Sequence, residues 1–243
     1  ELVAKAEALL RKLDLSAAIR HDRYSDFGSE TTGRLSTRFA LHPRLALRGT
    51  ISNGFQAPSL AAQAYRNTSN GNFYTDHILQ AGSPQAIALG AQPLRPETSR
   101  SLSLGIVAEP WQGASLTVDA YRIDVDDRIA LSTTFREGLY PGSGALVTSV
   151  GLGAQDGVRY FINAADTRTE GAELVANWRQ QLGDGNLLLT GAYSYAKTEL
   201  ENIAATPAEL LAIDPSYVLF GVEESNTLTD AAPRSRGTFT ATW

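Results

Sequence analysis

The stretch Arg95 to Ile129, RPETSRSLSLGIVAEPWQGASLTVDAYRIDVDDRI, decides the fold. Leu102, Leu104, Ile106 and Ala108 alternate with Ser101, Ser103, Gly105 and Val107, which is the period of an extended strand with one apolar face. After a break at Pro110, Trp111, Gln112 and Gly113, Leu116, Val118 and Ala120 alternate with Ser115, Thr117, Asp119 and Tyr121, giving the antiparallel partner. Aliphatic residues on one side and hydroxyls with a carboxylate on the other suit lipid outside and a wet lumen inside. A soluble sandwich with its apolar face turned inward produces the same alternation, so the distribution of connections has to separate the two.

Working outward, Leu13, Leu15, Ala17 and Ile19 alternate with polar or small neighbours, and HDRYSDFGSE then marks a turn. Leu35 to Leu41 and Leu45 to Ile51 repeat the pattern on either side of a two-residue break at His42 and Pro43. Strands are also expected around Thr169 to Arg179, Leu187 to Lys197 and Arg236 to Trp243, the first two joined by a tight turn at Gly183 to Asn186. Three stretches hold no period: Ala61 to Pro93, Ala130 to Gly157 and Glu199 to Pro233. In the last, TPAELLAI suits a helical turn capped by Thr206. Residues 1–12, ELVAKAEALLRK, have helical spacing and read as a short helix or a non-native lead-in.

Every second connection is therefore tight and the others are extended. Connections of about 30 residues are uncommon in compact soluble domains. Gathering them at one end of a meander is the habit of outer-membrane barrels, with short periplasmic turns and long extracellular loops. The alternating segments run about 9 to 12 residues, the length a tilted membrane strand needs. Tyr24, Tyr121, Tyr193, Tyr195, Trp111 and Trp178 lie near strand ends, as interfacial girdles do. The expected fold is all-β: an antiparallel up-and-down transmembrane β-barrel segment of about eight strands over residues 13–243.

Composition narrows the function. The 243 residues are 43% hydrophobic and 19% charged, ordinary for a folded chain, and the net charge of -5 gives no basic surface for nucleic acid. Cysteine is absent, which removes disulfides, thiolate metal sites and thiol nucleophiles. No apolar run approaches the about 20 residues of a membrane helix, so any crossing is made by strands. The chain starts at Glu1 without Met or a signal peptide and reads as a processed piece or fragment.

Several stretches resemble the C-terminal barrel region of TonB-dependent outer-membrane receptors. Residues 24–65 look like that family's strand, turn and strand followed by its G-F-x-A-P-S-L element, here Gly54 to Leu60. ALGAQPLRPETSRSLSLGI is similar to its L-x-P-E-x-S element, VDAYRIDVDDRI to its strand ending in an Arg-Ile pair, and FINAADTRTEGAELVANW to its N-x-x-x-T-x-G-x-E-L strand, Asn163 to Leu174. The resemblance implies an active transporter in the bacterial outer membrane, its barrel of about 22 strands closed by an N-terminal plug and energised by the inner-membrane TonB complex. Neither a plug nor an energising-partner box is present here, so the expectation is part of a barrel whose cargo is a bulky scarce nutrient such as a ferric siderophore. The alternative is a complete eight-stranded outer-membrane barrel with a structural or adhesive role.

Side chains that could serve a ligand are few. Phe73, Tyr74, His77 and Tyr140 in the long connections could hold an iron chelate by stacking and hydrogen bonding, although surface loops carry such residues without any ligand. Arg20, Arg34, Arg38 and Arg48 with Asp14 and Asp119 would face the lumen, where an internal ion-pair network is the plainer reading and a plug or anionic ligand the sharper one. His21 and Asp22 are adjacent on a strand and point to opposite faces, so they make no catalytic dyad. No histidine has metal-ligand spacing, and neither Asp124 to Asp127 nor Glu223 and Glu224 sits in a calcium-type loop. No enzyme activity and no cofactor is expected.

Overall fold

The computed structural model describes residues 12–25, 27–71 and 73–243; the expected helix at 1–12 lies almost wholly outside them. Eight long strands form the wall: β1 (Leu13–Tyr24), β2 (Gly28–His42), β3 (Leu45–Gln56), β6 (Glu97–Ala108), β7 (Ala114–Leu131), β8 (Gly157–Leu182), β9 (Gly185–Glu201) and β10 (Ser235–Thr242). Each pairs antiparallel with the next along the chain, β3 passing directly to β6. Two short strands, β4 (Asn67–Asn70) and β5 (Thr75–Leu79), make a hairpin whose second strand runs parallel to the start of β8. Five short helices lie in the long connections: α1 (Leu60–Ala64), α2 (Pro84–Ala88), α3 (Ser143–Ser149), α4 (Ala208–Leu211) and α5 (Val222–Thr229). Among the described residues β1 and β10 do not pair, so the wall is a curved open sheet with two free edges.

The strand count and the sorting of connections follow the sequence. Residues 43–44, 109–113 and 183–184 close one rim, while 57–96, 132–156 and 202–234 gather at the other. The first connection is shorter than HDRYSDFGSE implies, because β1 continues to Tyr24 and β2 resumes at Gly28. There Tyr24 stacks on Phe27 at 4.4 Å.

Cross-strand register turns the alternation into faces. One row runs Leu13, Phe39, Leu47, Ile106, Val118, Leu174, Tyr193 and Gly237 through all eight wall strands. Two residues along, Leu15, Thr37, Gly49, Leu104, Ala120, Ala172, Tyr195 and Ser235 form the next row on the same face. Its large members stand open, Ile19 at 82% and Leu104 at 62% exposure, which is costly in water and favourable in hydrocarbon. Above this belt the same face turns charged: Arg122 pairs with Asp124 at 2.9 Å and Arg168 with Asp124 at 2.8 Å, groups suited to the polar head-group region. Tyr121 leaves the expected aromatic girdle, since its place opposite Gly171 puts it on the polar face, where its ring covers that glycine.

Between the two apolar rows lies a row of the opposite face: Asp14, Arg38, Arg48, Gly105, Asp119, Glu173, Ser194 and Arg236. Asp14 pairs with Arg38 at 3.4 Å. Arg48 forks onto both carboxylate oxygens of Asp119, although β6 separates their strands. The intervening residue is Gly105, where an added Cβ would sit 2.0 Å from Asp119 Oδ1 and 3.0 Å from Arg48 Nε. Glycine is required because the ion pair passes over its Cα.

The buried core is not in the wall. It collects Leu79, Leu89, Phe135, Leu146, Val147, Val158, Tyr160, Ile162, Leu210, Tyr217, Leu219 and Phe220, drawn from all three long connections and the start of β8. Stretches without periodicity thus fold against one another into a single unit on the rim. Tyr160, fully buried, donates its hydroxyl to the Leu89 carbonyl at 2.8 Å across this core. β8 reaches the unit because its pairing with β7 shifts register between Val125 and Arg128 and again before Ile129; each extra residue changes which side later residues face. Asp127 takes φ 59 at that bulge, held by its N–H to Asp166 Oδ1 at 2.8 Å and its carbonyl to Asn163 Nδ2 at 2.8 Å. Thr206 does not cap α4; Pro207 stands at that position and the Thr206 hydroxyl accepts the Leu219 N–H at 3.1 Å instead.

Candidate functional site

Phe135 organises the site. It is fully buried and exchanges backbone hydrogen bonds of 2.9 Å with Val158, so the next residue, Arg136, is held where the core meets solvent. The Arg136 guanidinium lies 3.7 Å from the centre of the Tyr74 ring and contacts both Asp76 oxygens at 3.3 Å. A cation pinned between a ring and a carboxylate ties the β4–β5 hairpin to the second long connection. Beside it opens a cavity of about 470 Å³ lined by Asp76, Thr133, Thr134, Arg136, Leu139, Tyr140, Arg159 and residues 221–224.

Each wall of this cavity has a local cause. Arg159 sits between Val158 and Tyr160, both fully buried, and opposite Ile78 in the parallel β5–β8 ladder. Tyr140 packs its ring 5.7 Å from Phe135 and 5.6 Å from Tyr217. Burial pushes the Tyr217 phenol above its usual range, with nearby Asp214 and Glu137 adding to the shift. Glu224 accepts the Thr133 hydroxyl and the Gly221 N–H, each at 3.1 Å, and so fixes the start of α5.

Glu137 holds the approach to α3. Its carboxylate accepts the N–H of Gly142 at 3.0 Å and of Gly144 at 2.6 Å, and these two bonds lower its pKa. A carboxylate with a depressed folded pKa contributes its stabilisation above the ordinary carboxylate range and loses it as pH falls through the lowered value. The Gly144 amide is expected to stay protected from hydrogen exchange at neutral pH and to lose protection only under strongly acid conditions. In Glu137→Gln the amide bonds weaken at every pH, and an unchanged exchange profile would refute the cap.

The four loop residues singled out by sequence do not meet at one point. Tyr140 lines the cavity and Tyr74 borders it through Arg136. His77 turns the other way, with Nε2 3.4 Å from Asp156 and Nδ1 3.3 Å from Thr68, and lines a separate cavity of about 290 Å³ with Arg66, Asn67, Gln80 and Gln85. Phe73 stands at the hairpin tip, 89% exposed. Sequence reasoning missed Arg136, Arg159 and Asp76; the faint signal was Arg159 alternating with apolar Val158 and Tyr160, just past the stretch read as irregular and before the strand expected from Thr169. His21 and Asp22 keep apart, His21 Nδ1 lying 2.8 Å from the Thr31 hydroxyl while Asp22 pairs with Arg20. Among the described residues no group of three or more histidines and carboxylates is placed to hold a metal ion, and no helix is long and apolar enough to cross a membrane.

Comparison with known proteins places this geometry. The family described as TonB dependent receptor-like, beta-barrel matches residues 8–243. No curated protein matches the sequence. Among solved structures the chain resembles the siderophore receptor PirA from Pseudomonas aeruginosa, with TM-score 0.57 and 19% identity over 79% of this chain and 32% of that one. The ferric enterobactin receptor PfeA from the same organism, solved with enterobactin, gives TM-score 0.52 and 21% identity over 76% and 24%. The RagAB peptide importer gives 0.54 and 12% over 81% and 21%. The chain thus spans about a third or less of the length of these structures.

Proposed function

Because the chain belongs to the TonB-dependent receptor-like β-barrel family, a family of the Gram-negative outer membrane, we propose that it supplies wall strands and outer loops to an active transporter for a bulky scarce nutrient, with a ferric siderophore as the cargo. Its strands lie in the outer membrane, apolar rows against lipid and the Arg48–Asp119 row toward the lumen. The long connections capture the ligand; a plug from outside this chain then shifts under energy delivered by the inner-membrane TonB complex. Only capture belongs to the residues described here.

One observation carries the reading: three connections far apart in sequence share a core on one rim and leave beside it a cavity lined by Arg136, Arg159 and Tyr140. A rim of that kind suits a recognition surface. Iron is favoured over other cargo because a siderophore receptor and a ferric enterobactin receptor stand among the structural neighbours, although a peptide importer shares the fold as well. An eight-stranded barrel complete in itself would need β1 to pair with β10, and among the described residues they do not pair.

The test is binding of the full-length product, refolded in detergent, to ferric catecholate, hydroxamate and carboxylate chelates. Saturable binding to at least one is expected. Failure with all three, together with binding of a peptide or a vitamin, would overturn the iron reading and leave the transporter standing.

A further inference from the structure

The geometry points to Arg159 as the anchor for a carboxylate group of a ligand that enters the cavity between the β5–β8 ladder and the start of α5, an inference that rests on the loop-capture reading above. Two of the cavity's acids are already engaged: Asp76 is held by Arg136, and Glu224 by Thr133 and Gly221. Its donors are not. Among the described residues the Arg159 guanidinium and the hydroxyls of Tyr140 and Thr134 have no hydrogen-bonding partner or ion pair, while all three side chains line the same space. Unengaged donors around one concavity select an oxygen anion, and a planar guanidinium fork matches a carboxylate in two parallel bonds.

Position makes this cation more than a solvated surface charge. Val158 and Tyr160 are fully buried on either side, and the Ile78 pairing fixes the backbone, so the side chain departs from a rigid base. A guanidinium carried on a fixed backbone loses less conformational freedom on engaging a ligand than one on a free loop. Leu139 and Val222 at the cavity edge offer apolar contact for the ligand body, and Glu223, exposed there, disfavours a ligand whose negative charge extends past the anchored group. The occupant is therefore an organic carboxylate with charge at one end.

The test measures binding of octanoate, a monocarboxylate with an apolar body, to the full-length protein by equilibrium dialysis, beside the ferric chelates. Removing one partner of a charge-assisted bidentate contact costs tenfold or more in affinity by order of magnitude. Arg159→Ala is expected to weaken octanoate by about that factor, Arg159→Lys to recover part of it, and Arg179→Ala at the opposite rim to leave it unchanged. Arg159→Lys keeps the charge and decides the matter should the alanine variant misfold. Octanoate binding that Arg159→Ala leaves within twofold, or no binding by the wild-type protein, overturns the site. Octanoate binding that depends on Arg159 while every ferric chelate fails keeps the site and removes the iron cargo.

Discussion

Replacing Leu104 by arginine is expected to destabilise the folded protein in lipid by about 2–4 kcal/mol, while arginine at Ser103 changes stability by well under about 1 kcal/mol. Leu104 stands in the second apolar row, between Gly49 and Ala120, at 62% exposure. Ser103, one residue earlier, faces the other way between Thr50 and Tyr121. In water the two sites would tolerate a charge alike, since both are accessible. In a bilayer only one is wet. The measurement is urea unfolding of the full-length protein in phospholipid vesicles, followed by tryptophan fluorescence. Equal losses at the two positions would mean that Leu104 does not meet hydrocarbon, and the transmembrane orientation of the whole wall would fall with it.

Gly105→Ala is expected to cost about 1–2 kcal/mol, read in the same unfolding experiment. The Cβ would come 2.0 Å from Asp119 Oδ1, so the carboxylate must swing away and release Arg48. An aspartate can move without distorting the backbone, and the cost is the lost charge-assisted contact. Solvent reaches 48% of the Arg48 side chain and 20% of Asp119, which keeps the loss below that of a fully buried pair. A double-mutant cycle isolates the mechanism: with Asp119→Ala in place, the alanine at 105 should add little further loss. Additive losses would mean that the glycine serves the strand itself and not the pair above it.

The wall was legible in the sequence because each of its residues answers locally to one of two solvents. Leu102, Leu104 and Ile106 alternate with Ser101, Ser103 and Gly105 whatever the rest of the chain does. The rim was not legible, since its order comes from contacts that sequence spacing does not encode. Tyr160 bonds to the carbonyl of Leu89, and Phe135 packs on Tyr217, each pair far apart along the chain. β8 shows both cases within one strand: from Thr169 onward its alternation is plain, whereas Gly157 to Asp166 was hidden by the register shifts that turn its apolar side toward the loops. The ligand-facing residues divide in the same way. Tyr74 and Tyr140 could be picked out as aromatics in loops, but Arg136 and Arg159 gain meaning only through Phe135 and Tyr160, which fix the backbone beside them.

The shared apolar interior of the three long connections bears on how cargo is caught. Segments that must first fold around a guest pay the ordering entropy at the moment of contact, and their affinity falls accordingly. Here Phe135, Tyr160, Leu210 and Phe220 are sealed from water by the chain's own residues, so recognition at this mouth is closer to a lock meeting its key than to a hand closing. Tightness should then vary among chelates chiefly through how slowly they leave, with arrival rates nearly uniform.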